Sequence, residues 1–389
     1  MLELLYLLLP LATCSGWYFG KRASMKHGPE QANGLSSDYY VGLNFLLNEQ
    51  PDKAVDAFIR MLDVSPDTVE TTLALGNFFR RRGEVDRAIR IHQNLIAKPN
   101  LTTKQKSHSL LELAQDYLRA GVLDRAETLL LEIVRNEDGN LDISLKHLII
   151  IYEREKDWKK SIEFAMRLQS ISAQWMGRQI AHYFCELAEL SWDEGKVRLS
   201  SKYLKQALNS DGGCVRASYL QGLHEMKLSR YKQAIKAFKR VENQDADFLQ
   251  EVLPPIIECY KALNQKANIA YYLDYLLHNS PSMNIVLANA EYIKENSGKE
   301  QAAKFLGQYM KKYPSIRGLK HLIEFHVSQF TGEVKSELVI LQQLVEQLLE
   351  RKPVYRCRQC GFSGQSLLWQ CPSCKQWASV KPLHHIEGE

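Results

Sequence analysis

Residues 74–93 read ALGNFFRRRGEVDRAIRIHQ, and two small residues in this stretch, Gly76 and Ala88, govern how the rest of the chain is read. Gly76, Phe79, Ala88, His92 and Asn100 each match a residue thirty-four positions upstream: Gly42, Phe45, Ala54, Phe58 and Pro66. A unit of that length accommodates two helices and a turn. The small residue early in the first helix and the alanine early in the second let the pair approach closely. One such unit cannot bury its own apolar face, so neighbouring units must stack.

The thirty-four-residue period is that of the tetratricopeptide repeat. Looser copies follow at Ala114, Tyr117 and Ala126; Ile149, Tyr152 and Ser161; Ala188 and Ser200; Gly222 and Ala234; Ile257, Tyr260 and Pro281; and Ala290, Ala302 and Pro314. They predict an all-α superhelix of about eight repeats over residues 38–315, with insertions near residues 99–104 and 172–177. Residues 316–352 keep a helical pattern, notably Leu338, Leu341, Leu344, Val345 and Leu348, and read as a helical cap. Apolar stripes in such an array are core. Binding belongs to the face lined by the first helix of each pair, where Asn77, Arg80 and Arg81 are candidates for gripping an acidic or C-terminal peptide segment. The blander reading of Arg80, Arg81 and Arg82 is a solvated helix end whose cations the helix dipole favours.

Outside the repeats the composition is ordinary. The net charge of +5 over 389 residues is small and its basic residues are interleaved with acidic ones, so no nucleic-acid partner is expected. Of the eight cysteines, Cys14, Cys185, Cys214 and Cys259 are scattered and the other four crowd near the C-terminus. That clustering favours a metal site in a reducing compartment over a disulfide framework.

Residues 2–20 read LELLYLLLPLATCSGWYFG, with Glu3 the sole charge. As a helix the stretch would extend about 28 Å, enough to cross a bilayer, and Pro10 is tolerated there. Trp17 and Tyr18 suit an interfacial belt, and Lys21, Arg22 and Lys26 follow at once. Residues 1–20 are therefore expected to form a single transmembrane anchor, with the bulk of the chain on the cytoplasmic side. A cleaved signal peptide would carry its positive charge before the apolar run, not after it. Thr13 before Cys14 is unusual for lipoprotein processing, and a buried soluble helix would not be apolar all round. Residues 21–37, with Gly28, Pro29 and Gly34, read as a linker.

Residues 353–389 hold two CxxC pairs, Cys357 with Cys360 and Cys371 with Cys374, ten residues apart. Four thiolates at this spacing can occupy the corners of a tetrahedron, the closed structural arrangement that zinc takes and that iron also accepts. Gly361 and Pro372 shape the two tight turns. Arg356, Arg358 and Lys375 are placed to offset the negative charge of the cluster, and Tyr355, Phe362, Trp369 and Trp377 to supply a small apolar core. One metal ion, zinc with iron as the alternative, is thus expected on Cys357, Cys360, Cys371 and Cys374, with no coordination position left for substrate.

There is no Walker loop, GxSxG elbow, HExxH motif or dinucleotide fingerprint. His182 and Cys185 lie three apart on a helix but lack further ligands nearby in sequence, and read as packed polar residues. His321 and His326, five apart, face different ways. No catalytic residue and no enzymatic activity is expected.

The anchor, the repeats and the CRxCGF…WxCPxC knuckle together resemble the lipopolysaccharide assembly protein B family of Gram-negative bacteria. The likeness runs the length of the chain. It is strongest at residues 2–22, at residues 83–93 (GEVDRAIRIHQ) and at residues 357–377. The family's knuckle is called rubredoxin-like, though here the gap between pairs is shorter than in rubredoxins and Lys375 stands where a glycine usually follows. The resemblance implies an inner-membrane adaptor that regulates lipopolysaccharide biosynthesis with the membrane protease FtsH, promoting degradation of the LpxC deacetylase. An assembly platform for lipopolysaccharide-synthesis and export proteins, and a metal-dependent redox enzyme, are the competing readings. Assembly into a homo-oligomer is left open.

Overall fold

The computed structural model describes residues 37–48, 50–61, 69–136, 140–327, 330–350 and 352–383. The expected anchor, and the expected linker apart from Ser37, lie outside the described residues. Among the described residues no helix is long and apolar enough to cross a membrane.

The chain divides into two compact units, one ending at Ser144 and the other beginning at Leu145. The first contains α1 (Ser37–Leu47), α2 (Pro51–Met61), α3 (Val69–Arg81), α4 (Val85–Ile96), α5 (Thr103–Ala120) and α6 (Leu123–Asn136). Its helices pack in the antiparallel pairs that the thirty-four-residue period predicts, for a visible steric reason. A Cβ on Gly76 would lie 2.3 Å from His92 Nε2, so only glycine lets α3 and α4 touch there. Ala88 and Ala126, early in the second helix of their pairs, are fully buried.

The second unit takes up α7 (Leu141–Glu155), whose first turn precedes the division, and continues through α8 (Trp158–Ile171), α9 (Gly177–Asp193), α10 (Val197–Ser210), α11 (Val215–Lys227) and α12 (Tyr231–Gln244). A 3₁₀ turn at Ala246–Phe248 leads to α13 (Leu249–Ala262), α14 (Lys266–Asn279), α15 (Met283–Ser297), α16 (Lys299–Met310), α17 (Ile316–Val327) and α18 (Glu333–Glu350). Gly222 repeats the role of Gly76, since a Cβ there would fall 2.3 Å from the Phe238 ring. Ser161 and Ser200 fill the usual alanine place and are as fully buried as Ala234 and Ala302. The segment read as a helical cap is itself a helix pair, α17 packed on α18.

Turns between paired helices share one device. After α5 the chain enters the left-handed region at Gly121 (φ 78°), whose amide bonds Leu118 while that of Val122 bonds Tyr117. After α7 the same two bonds form around Lys156 (φ 58°), a conformation that glycine holds without cost and a lysine does not.

The chain is not helical throughout. Residues 352–383 fold around a three-stranded antiparallel sheet, ordered β2 (Ser363–Gly364), β1 (Tyr355–Cys357), β3 (Val380–Pro382). Two tight turns hang from this sheet and carry the cysteines.

Candidate metal centre and its seat

The two CxxC turns are built alike. In the first, the Gly361 amide bonds the Cys357 carbonyl and the Cys357 amide bonds Phe362. In the second, the Lys375 amide bonds the Cys371 carbonyl and the Cys371 amide bonds Gln376. Each turn passes through the left-handed region just after its second cysteine, at Gly361 (φ 77°) and Lys375 (φ 59°). Lysine thus adopts the glycine conformation at the second position and carries the strain itself.

This brings the four Sγ atoms of Cys357, Cys360, Cys371 and Cys374 within 4.8 Å of one another. Cys357 Sγ lies 3.7 Å from Cys374 Sγ, and Cys360 Sγ lies 3.6 Å from Cys371 Sγ. A tetrahedral ion with metal–sulfur bonds of about 2.3 Å requires sulfur–sulfur edges of about 3.8 Å, so the donor set fits a single ion. The surroundings favour thiolate at two positions. Burial pushes Cys357 up, but hydrogen bonding to the Ser379 hydroxyl and to the amides of Cys360 and Gln359 brings it down to about 6. The Phe362 amide lowers Cys360. Although the Gln376 amide pulls Cys374 down, burial and the neighbouring sulfurs outweigh it and raise that thiol to about 11. A cation at the centre would remove that penalty by drawing the protons off. It would supply a rigid cross-link between two otherwise independent turns.

The aromatic residues of this segment do something the sequence did not disclose. Tyr355, Cys357, Cys371 and Val380 form the small core, with Phe362, Leu367 and Leu368 against it. Trp369 and Trp377, expected in that core, instead bind the helical repeats. Trp377 is 6% exposed, stacks on His182 with ring centres 4.9 Å apart, and meets Trp158 and Tyr183 edge-on. Its Nε1 donates to Glu153 Oε1 at 2.9 Å, and the Tyr183 hydroxyl donates to the same oxygen at 2.6 Å. Trp369 stacks on Phe248 at 5.5 Å. His182, between the two tryptophans, is held down at about 3 by burial and by the charges of Arg216 and Arg178.

Polar contacts complete the seat. Arg358 Nη2 donates to Asp247 Oδ2 at 2.6 Å, so it serves the attachment of the module instead of balancing the cysteines. Lys381 pairs with Asp245 and the Tyr355 hydroxyl donates to Glu251 at 2.7 Å. His182 accordingly acts as a stacking surface. Among the described residues, the only group of three or more Cys, His, Asp or Glu able to share an ion is the four-cysteine one.

The structure places the groove candidates Asn77, Arg80 and Arg81 apart in character. Arg80 bridges Glu112 at 2.6 Å and Asp116 at 2.9 Å, and Asp116 in turn meets His92 at 2.5 Å with both side chains fully buried. Its charge is committed to joining α3, α4 and α5. Asn77 is half-buried, with its Oδ1 enclosed and unpaired, and Arg81 is exposed. Nothing in the local sequence marks Arg80 as different from Arg81; only their contacts across the repeat separate them.

With this geometry in hand, similarity to known proteins is specific. Residues 355–382 match the rubredoxin metal binding domain, and residues 71–104 and 185–247 match the tetratricopeptide repeat. Over 389 residues, all of both chains, the protein is 36% identical to "Lipopolysaccharide assembly protein B" of Escherichia coli strain K12. It is 38% identical over 399 residues, again all of both chains, to the protein of that name from Haemophilus influenzae. Among solved structures, a tetratricopeptide repeat protein from Parabacteroides merdae is 14% identical, with a TM-score of 0.33 over 71% of this chain and 99% of that one.

Proposed function

Since the chain belongs to the lipopolysaccharide assembly protein B family, we propose that it is a non-catalytic adaptor that regulates lipopolysaccharide biosynthesis by delivering the LpxC deacetylase to the membrane protease FtsH. Residues 1–20 anchor it in the inner membrane, and the repeats and metal module work on the cytoplasmic side. One observation carries this reading: a repeat array and a four-sulfur knuckle are packed into one surface through Trp377 and Trp369. Such a body is suited to holding proteins. Tethering it beside a membrane protease raises the local concentration of any client the repeats hold.

The ion is zinc in this proposal. Four sulfur donors at tetrahedral spacing and a role confined to shape suit an ion without redox chemistry. Metal analysis of the purified chain distinguishes the two ions, since iron-thiolate absorbance that bleaches on reduction would replace zinc with iron.

The functional test is the lifetime of the deacetylase. Cells depleted of this protein should degrade it several-fold more slowly and accumulate it; unchanged turnover would remove the adaptor reading. Exchanging residues 1–20 for an unrelated membrane span tests whether the protease is met through the bilayer, because a platform needing only membrane location would survive the exchange.

A further inference from the structure

A cavity of about 650 Å³ lies where α13, α15 and α17 meet the metal module. Its apolar lining comes from Leu253, Pro254, Ile257, Ala288 and Tyr292 of the helices, with Val354 and Tyr355 of the module closing one side. The bond from the Tyr355 hydroxyl to Glu251 fixes that wall to the repeats. The helices here are first helices of successive pairs, the face on which such arrays hold extended peptides.

Two features give the groove a chemical preference. Among the lining residues Glu251, Glu258, Glu291 and Glu295 outnumber Lys261 and Arg317, which leaves the lining negative on a chain whose net charge is +5. Lys261 is already bound by Glu295, at 2.6 and 2.8 Å, and Glu291 has Lys294 at 2.7 Å. Among the described residues no cation pairs with Glu251 or with the exposed Glu258. Independently, Pro254 and Pro255 inside α13 have no amide hydrogen, so the carbonyls of the groove residues Gln250 and Glu251 receive no helical bond from them. Glu251, whose Oε1 already accepts from Tyr355 and Gln250, and Glu258 thus carry charge that no cation balances, and they call for a donor of positive charge. Asn284, which donates to Gln250 and accepts weakly from Arg317, adds an amide at the spacing of one repeat.

We infer that this groove receives a short extended segment of a partner protein carrying lysine or arginine between apolar side chains. Two helix-to-helix spacings of about 10 Å accommodate about six extended residues. Apolar side chains would lie on Ile257, Ala288 and Tyr292, and the cation between Glu251 and Glu258. The inference deepens the adaptor reading and rests on it for the partner being a protein.

The test uses the purified full chain in detergent and two end-blocked, fluorescein-labelled hexapeptides, one with lysines among leucines and glycines, the other with glutamates replacing the lysines. We expect the lysine peptide to bind at least about tenfold more tightly than the glutamate peptide, and its affinity to fall with added salt. Glu258→Lys, at an exposed position that leaves folding intact, should weaken the lysine peptide by about tenfold or more, and Glu258→Asp should retain most of the binding. Equal or tighter binding of the glutamate peptide, indifference to Glu258→Lys, or no saturation by the lysine peptide below about 1 mM would each overturn the inference. Deacetylase turnover in cells is a separate measurement: normal turnover control by a chain that fails the peptide test sinks the groove and spares the adaptor.

Discussion

Trp377 and Glu153 are separated by 224 residues of chain, yet the indole Nε1 of one donates to Oε1 of the other at 2.9 Å. The same oxygen accepts from Tyr183, so one carboxylate ties the first helices of two successive pairs, α7 and α9, to the knuckle that carries the cysteines. The metal module is thereby part of the repeat surface.

Removing the indole should release that attachment. Trp377→Ala deletes a nearly fully buried side chain stacked on His182 and should cost about 3–5 kcal/mol of docking and folding stability. Glu153→Ala leaves two buried donors without their acceptor and should cost about 1–3 kcal/mol for each. Amide exchange across residues 352–383 reads both effects. Protection equal to wild type in Trp377→Ala would show that Trp369 and the ion pairs suffice.

Removing the ion should have a wider effect than removing any one contact. Metal binding by small zinc modules contributes about 10–16 kcal/mol, far more than the short sheet and its few apolar side chains can replace. Strong chelation, or Cys371→Ser, should therefore unfold residues 352–383 and expose Trp369 and Trp377, shifting their fluorescence to the red. Retention of the native emission in metal-free protein would contradict this.

Acid should loosen the same seat through His182. Its folded-state value of about 3 lies below the ordinary 6.5, because burial and the charges of Arg216 and Arg178 disfavour the protonated ring. The unfolded ring therefore takes up a proton first as pH falls. This contribution to stability is complete above about pH 6.5, declines by up to ~1.4 kcal/mol per unit below it, and is exhausted near pH 3. His182→Phe keeps a ring against Trp377 and should flatten the difference between urea titrations at pH 6.5 and pH 5. An unchanged slope would assign the acid sensitivity elsewhere.

Within the first unit, Asp116 and Arg81 should behave oppositely. Asp116→Ala strips the buried His92 of its carboxylate and leaves Arg80 with Glu112 alone, and should destabilise by about 3–5 kcal/mol. Arg81→Ala, at an exposed position, should change stability by no more than about 0.5 kcal/mol. Thermal melts of the two variants check the contrast.

The repeat architecture was legible because its physical cause is local and periodic. Two helices can touch at Gly76 and His92, or at Gly222 and Phe238, only when one side lacks a Cβ, and that demand recurs at a fixed spacing in the sequence. The four candidate ligands were legible for a related reason: CxxC places two sulfurs in one turn before any long-range fold is known. The three short strands of the module left too little pattern to place one by one, although its four cysteines marked it as a knuckle separate from the helical array.

By itself, then, the sequence determined which residues repeat and which four sulfurs are spaced to share an ion, both consequences of spacing along the chain. Only the tertiary structure decided that Trp369 and Trp377 face outward into the repeats, that Arg358 reaches Asp247, and that Arg80 is consumed by Asp116 while Glu258 stands without a cation. Those outcomes depend on partners tens to hundreds of residues away. A side chain's type fixes what it can bond, but whether the bond is made inside the molecule or left for another protein depends on what folding brings beside it.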